Sequence, residues 1–141
     1  MTDKTVADVM SRDVVTILPE ENLTQLLAVM QDCGFRHLPV VDDEEGLRLV
    51  GLVSERDLLW LTVSPFEPGA ETRRATFAEQ TFVNKVMVKD VLTVGASASV
   101  KDAAALMLQH KVGALPVVDE AGCLAGILTT SDLLALVAED G

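Results

Sequence analysis

Tyrosine is absent, and aromatic residues make up only 4% of the 141 positions. Stacking platforms for single-stranded nucleic acid are therefore scarce. Basic residues are few as well: 11 Lys and Arg stand against 22 Asp and Glu, for a formal net charge of −11. Nucleic-acid binding needs a dense basic surface that displaces counterions, so this balance excludes that class. No apolar run approaches the roughly 18 residues of a membrane span. No apolar signal region follows Met1-Thr2-Asp3-Lys4. Two cysteines, Cys33 and Cys123, do not make a disulfide framework. These absences predict a cytoplasmic chain with reduced thiols and no membrane or nucleic-acid partner. A Gly-x-Ser-x-Gly nucleophile elbow and a phosphate loop ending in Gly-Lys-[Ser/Thr] are also missing. With two His and no nucleophile–base pair that can be placed, catalysis is not expected. What the chain does have is apolar material: 49% of residues are hydrophobic, enough for a core in one compact unit or two very small ones.

The chain also repeats itself. Val6-Ala7-Asp8-Val9-Met10-Ser11-Arg12-Asp13-Val14-Val15-Thr16 returns 77 positions later as Val83-Asn84-Lys85-Val86-Met87-Val88-Lys89-Asp90-Val91-Leu92-Thr93. The same offset joins Leu38-Pro39-Val40-Val41-Asp42 to Leu115-Pro116-Val117-Val118-Asp119. It then drops to 75, where Gly51-Leu52-Val53-Ser54-Glu55-Arg56-Asp57 meets Gly126-Ile127-Leu128-Thr129-Thr130-Ser131-Asp132. The slip falls in the acidic stretch Asp43-Glu44-Glu45-Gly46, as expected of a loop tip. Repeat one is placed at residues 5–63, a linker at 64–81 and repeat two at 82–138. Ser64-Pro65-Phe66-Glu67-Pro68-Gly69 has the composition of a connector, and Phe77 to Val83 is expected to lead helically into repeat two. Units this small bury little surface alone, so the two repeats are expected to pack about a pseudo-two-fold axis, leaving two related clefts.

Each repeat reads β-α-β-β-α, which makes the chain an α/β (α+β) protein with two small sheets covered by helices. Val6 to Met10 reads as a short helical start and Val14 to Leu18 as a strand. Leu23, Leu26, Leu27 and Met30 follow at helical spacing after Asn22, with Gly34 as the stop. Leu38–Val41 and Leu47–Val53 form the next strands, and Ser54 opens a helix. In repeat two, Ser99 caps the corresponding helix, Leu115–Val118 and Leu124–Leu128 are the strands, and Thr129 opens the last helix. Met10, Met30, Met87 and Met107 recur with the fold and read as core. Trp60, which faces Ala135 in the alignment of repeats, packs in the core or against a partner.

One twice-repeated motif can carry chemistry: Gly-h-h-[Ser/Thr]-x-x-Asp, with h apolar, at a strand-to-helix junction. A helix N-terminus presents backbone N–H groups and a positive dipole end to phosphate. A cap hydroxyl adds a hydrogen bond, and an Asp carboxylate three residues on accepts two from a ribose diol. The same spacing also describes a plain capping box. Ser99-Val100-Lys101-Asp102 has it without the Gly-h-h prefix, so spacing alone favours plain capping.

Taken together, the Val-x-x-Val-Met-x-[Arg/Lys]-Asp-Val opening, the Leu-Pro-Val-Val-Asp strand and the Gly-h-h-[Ser/Thr]-x-x-Asp-Leu-Leu ending, in this order and twice, resemble a tandem pair of CBS domains, also called a Bateman module. The resemblance implies an adenosine-containing ligand, such as AMP, ADP, ATP or S-adenosylmethionine, held in the clefts between repeats. Asp57 and Asp132 then hold the ribose, and Ser54 and Thr129 lie near ribose or phosphate. Ser131 supplies a second hydroxyl near phosphate, where repeat one has Arg56. Backbone groups near Thr16 and Thr93, and those just before Pro39 and Pro116, face the base. The resemblance also implies a homodimer, an adenine nucleotide as regulatory ligand with no required cofactor, and action on an unknown protein target in trans.

The two clefts are not equivalent. Arg36-His37 precedes Leu38-Pro39, whereas uncharged Gly113-Ala114 precedes Leu115-Pro116. Arg36, His37 and Lys111 are candidate phosphate readers. A solvated edge between helix and strand is the competing reading of the Arg36-His37 pair. Cys33 and His37 stand four apart, but no further ligands assemble around them, so no metal site is expected. Asp42-Asp43-Glu44-Glu45 lacks the alternating spacing of a calcium loop and reads as a solvated turn. Residues 1–70 carry five basic and thirteen acidic residues, and 71–141 carry six and nine, so ligands with fewer phosphates are the easier to accept. The competing function is a ligand-free module kept for dimerisation and protein interaction.

Overall fold

A computed structural model describes residues 3–34, 36–43, 45, 47–62 and 69–140, with no side-chain description at 59–62, 70, 71 and 140. Trp60 lies outside the residues whose side chains are described. So does the first part of the 64–81 linker, up to residue 68.

The elements run α1 (Val6–Val9), α2 (Leu23–Cys33), β1 (His37–Val41), β2 (Leu49–Ser54), a 3-10 helix (Glu55–Thr62), α3 (Ala70–Gln80), a 3-10 turn (Val83–Lys85), α4 (Val100–His110), β3 (Ala114–Val118), β4 (Leu124–Thr129) and α5 (Thr130–Asp140). The strands form two two-stranded sheets, β1 with β2 and β3 with β4. No helix of the described residues is long and apolar enough to cross a membrane.

Local chemistry explains the helix ends. The Asn22 side chain accepts from the Gln25 N–H at 2.9 Å, and the Gln25 side chain accepts from the Asn22 N–H at 2.9 Å, a reciprocal cap. Gly34 closes α2 with φ at 71°, a left-handed conformation in which glycine has no Cβ to clash. Lys111 takes the same role after α4 with φ at 56°. Ser99 Oγ accepts from the Asp102 N–H at 3.0 Å and starts α4.

Three local features differ from the sequence expectation. The first strand of each repeat shrinks to one parallel bridge, Ile17 to Val40 and Val94 to Val117. Pro19 and Gly95, which soon follow, are both poor strand residues. The segment after Ser54 is a 3-10 helix, whereas the matching α5 is a full α-helix. Trp60 stands in the first where α5 has Ala135, and alanine is the better helix former. The helical lead into repeat two also comes earlier, as α3, and ends at Gln80. Thr81 is extended, and its carbonyl accepts from the Leu23 N–H at 3.0 Å, which turns the chain out of the helix.

The chain packs as two compact units that cut across the repeats. One comprises Met1–Val14, Gly46–Leu49 and Val91–Gly141; the other comprises Val15–Glu45 and Val50–Asp90. In the first, Val6 and Met10 of repeat one join Val94, Ala103, Met107, Leu115, Val117 and Leu128 of repeat two in a single buried cluster. The Val6 N–H donates to the Ala98 carbonyl at 2.8 Å, and the Val100 N–H donates to the Lys4 carbonyl at 3.0 Å. In the second unit, Val83 of repeat two joins Ile17, Leu23, Leu26, Met30, Leu38, Val40, Val53 and Leu58 of repeat one. The Val83 N–H donates to the Glu21 carbonyl at 2.8 Å. Each opening segment therefore completes the core of the other repeat. Ala78 of α3 is buried in the second core, so this half of the linker is docked.

Candidate functional site

The two Gly-h-h-[Ser/Thr]-x-x-Asp motifs fold alike, one in each unit. The two apolar positions carry β2 or β4 into its core, and the hydroxyl residue ends the strand. Asp57 Oδ2 accepts from the Ser54 N–H at 2.9 Å and from Ser54 Oγ at 3.0 Å. Asp132 Oδ2 accepts from the Thr129 N–H at 2.9 Å and from Thr129 Oγ1 at 3.1 Å. Thr129 Oγ1 in turn accepts from the Asp132 N–H at 3.3 Å. At Thr129–Asp132 these bonds close a capping box, and at both junctions the cap occupies only one oxygen of the carboxylate. Both motif aspartates remain partly exposed. At Ser99–Asp102 the same spacing yields the forward bond to Ser99 Oγ without the paired return bonds among the described residues. The three-residue spacing therefore supports a cap in each case. The return of a carboxylate oxygen to the hydroxyl residue's own N–H is shared by the two junctions and by the start of α1, where Asp8 Oδ2 accepts from the Thr5 N–H at 3.0 Å and from Thr5 Oγ1 at 3.1 Å.

The second oxygens differ. Asp132 Oδ1 accepts from Ser11 Oγ at 3.1 Å. Asp57 Oδ1 has no hydrogen-bond partner among the described residues. Ser11 is held by a reciprocal pair: its N–H donates to the Ile127 carbonyl at 2.9 Å, and the Ile127 N–H donates to its carbonyl at 3.0 Å. Val88 pairs with Leu52 in the same register, at 2.9 and 3.0 Å. The motif glycines permit these approaches. A Cβ on Gly126 would stand 2.7 Å from Met10 Sδ and 2.8 Å from the Ser11 carbonyl oxygen. A Cβ on Gly51 would stand 2.6 Å from Met87 Sδ and 3.0 Å from the Val88 carbonyl oxygen. Sequence reading named Ser11 only as part of the repeat and gave it no part in a site. Its signal was there: serine faces valine at one position of an otherwise well-matched opening.

The amides at the helix starts are largely spent within the fold. The Glu55 N–H donates to the Arg36 carbonyl at 2.8 Å, and the Thr130 N–H donates to the Gly113 carbonyl at 3.1 Å. These bonds bring the residues before β1 and β3 against the two junctions. Arg36 Nε lies 3.8 Å from Glu55 Oε2, with the arginine side chain 83% exposed. Such an exposed pair contributes about 0–1 kcal/mol and leaves the guanidinium accessible. Arg56, Ser131 and Lys111 are exposed, with no hydrogen bond to another described side chain. Thr16 and Thr93 are half-buried, each one residue before the bridge to β1 or β3, and Ala114 is buried at the start of β3. Cys33 and Cys123 are free thiols, and the described residues contain no cluster of potential metal ligands. Asp43 Oδ1 accepts from the Glu45 N–H at 3.0 Å, which is a turn closure.

His37 opens β1 and is half-buried. Burial pushes its imidazole below the ordinary 6.5, the Asp57 carboxylate opposes that drop, and Arg36 adds to it. The folded state thus favours the neutral ring. Stability from this source is complete above about pH 6.5 and is lost as pH falls from there through the lower folded value. His37→Ala, which installs the residue of the matching position Ala114, is expected to flatten the fall in unfolding free energy between about pH 7 and pH 5. Urea denaturation across that range checks it, and an unchanged slope would contradict it.

The arrangement offers each junction a fixed, partly exposed carboxylate that can accept hydroxyl donors, with a basic flank at Asp57. A family model described as CBS domain matches residues 6–63 and 83–139. A CBS domain-containing protein of Dictyostelium discoideum is 35% identical over 132 residues, covering 94% of this chain and 90% of that protein. The solved CBS-pair protein CBSX2 from Arabidopsis thaliana superposes with a TM-score of 0.84 at 31% identity, covering 99% of this chain and 97% of that one. A structure of CBSX2 in complex with AMP gives a TM-score of 0.80 at 30% identity, covering 96% and 97%. The chain spans less than half the length of several other curated relatives that it matches, among them an inosine-5'-monophosphate dehydrogenase of Korarchaeum cryptofilum, of which it covers 22%.

Proposed function

This chain belongs to the CBS domain family, with two copies of the domain, and from that premise we propose that it is a regulatory module that binds an adenosine-containing ligand at the Asp57 and Asp132 junctions and signals to a separate protein. The observation that carries this reading is the carboxylate geometry. Capping takes Oδ2 of each aspartate, and Oδ1 keeps acceptor capacity that a ribose diol can use. The likeness to CBSX2, whose complex with AMP has the same fold, supports the ligand class. In this reading Ser54 and Thr129 stand near ribose or phosphate, and Ser131 and Arg56 near phosphate. Backbone beside Thr16, Thr93, His37 and Ala114 faces the base. Arg36 and His37 make the Asp57 junction the better phosphate acceptor. A ligand acts on a target only through unequal affinity for two states of the module, so the signal is a shift between states.

Isothermal titration calorimetry with AMP, ADP, ATP and S-adenosylmethionine tests the reading. Binding of at least one is expected, with loss of the corresponding site in Asp57→Ala or Asp132→Ala. A ligand at 100 times its dissociation constant should also add about 2.7 kcal/mol of stability. Absence of heat and of thermal shift across the panel would sink the proposal. A second reading, dimerisation without ligand, is favoured by the apolar side chains left outside on α4 and α5, where Leu108, Leu134 and Val137 are 81%, 64% and 67% exposed. A stable dimer that ignores every ligand would favour it.

A further inference from the structure

The two carboxylates differ in how many acceptor positions they keep. A carboxylate oxygen offers two lone pairs. Oδ2 is filled in both junctions, by Ser54 N–H and Oγ at Asp57 and by Thr129 N–H and Oγ1 at Asp132. A ribose diol brings two hydroxyl donors, so both must be taken by Oδ1. At Asp132, one position of Oδ1 already holds the Ser11 hydroxyl at 3.1 Å. At Asp57, the residue in the matching register is Val88, whose side chain has no donor. Both backbone groups of Ser11 are tied to Ile127, which keeps its Cα beside Asp132. The contrast is therefore built into the chain trace.

We propose that Ser11 sets the two junctions apart: its hydroxyl fills one acceptor of Asp132, so a ligand with a vicinal diol occupies the Asp57 junction first and more tightly. The inference deepens the ligand-sensing reading and rests on it. It makes no demand on which base or how many phosphates the ligand carries. It concerns only the diol, so removing one hydroxyl from the ligand should erase the difference that Ser11 makes. One remaining acceptor is enough for one donor.

The experiment isolates each junction and exchanges the residue beside it. In an Asp57→Ala background, Ser11→Ala and Ser11→Val are titrated with AMP and with 2'-deoxy-AMP. In an Asp132→Ala background, Val88→Ser is titrated with the same pair. One charge-assisted hydrogen bond corresponds to about a tenfold change in affinity. Ser11→Ala and Ser11→Val should therefore tighten AMP at the Asp132 junction about tenfold, and Val88→Ser should weaken AMP at the Asp57 junction by a similar factor. Neither change should alter 2'-deoxy-AMP. Val88 is 48% exposed, so the serine fits without repacking. A loss of packing at residue 11 could only weaken binding, so the tightening is a sign that a merely structural role would not produce. AMP affinities unmoved by the exchanges, or equal effects on both ligands, would overturn the inference while wild-type binding leaves the ligand-sensing reading standing. A wild-type protein that binds neither nucleotide overturns both.

Discussion

Gly126→Val is expected to lower the unfolding free energy by about 3 kcal/mol, within the range of overpacking and backbone strain. The cause is steric and sits in the first position of the repeated motif. The added Cβ would meet Met10 Sδ at 2.7 Å and the Ser11 carbonyl oxygen at 2.8 Å. The methionine thioether can swing aside. The carbonyl cannot, because it accepts the Ile127 N–H at 3.0 Å and retreat breaks the pair. At Gly51 the backbone oxygen stands at 3.0 Å, so most of the clash falls on the flexible Met87. Alanine at 126 should therefore cost more than alanine at 51, and valine more than alanine at either place. Urea denaturation of the four variants checks the order. A Gly126→Ala protein within about 0.5 kcal/mol of the parent would refute the steric account.

Val6→Ala should destabilise the core of repeat two rather than that of repeat one. Val6 is fully buried, and its cluster contains Leu115, Val117 and Leu128. Removing its two methyl groups should cost about 2 kcal/mol, as transfer and cavity terms for a buried aliphatic side chain. The mirror variant, Val83→Ala, should cost about as much, but in the cluster of Leu26, Leu38 and Val53. Amide hydrogen exchange separates the two outcomes. Val6→Ala should speed exchange in β3 and β4 before β1 and β2, and Val83→Ala the reverse. Faster exchange confined to the β1–β2 sheet in Val6→Ala would mean that each opening segment serves its own repeat.

Much of the local structure was legible in the residues. Asn22 and Ser99 marked helix starts because their short side chains reach back to amides two or three residues on. Gly34 marked a helix end through its left-handed φ. The strands Leu38–Val41 and Leu115–Val118 showed as apolar runs because they are buried. The matched pairs Ser54–Asp57 and Thr129–Asp132 were legible too, since their geometry is fixed within four residues. The 3-10 form of Glu55–Thr62 was not, because a helical pattern does not state its hydrogen-bond spacing. The single bridges at Ile17 and Val94 were missed as well, since an apolar run does not state how many neighbours it pairs with.

The amino-acid order thus settled the repeats, their caps and strands, and the two carboxylate junctions, all of which depend on side chains a few residues apart. It left open which core receives each opening segment. Val6 to Met10 and Val83 to Met87 share their valines and methionine, so either segment satisfies either core equally well by pattern. Long-range packing broke that degeneracy, placing Val6 beside Leu128 and Val83 beside Val53. That placement also brings Ser11 to Asp132, a contact 121 positions apart that no local pattern encodes.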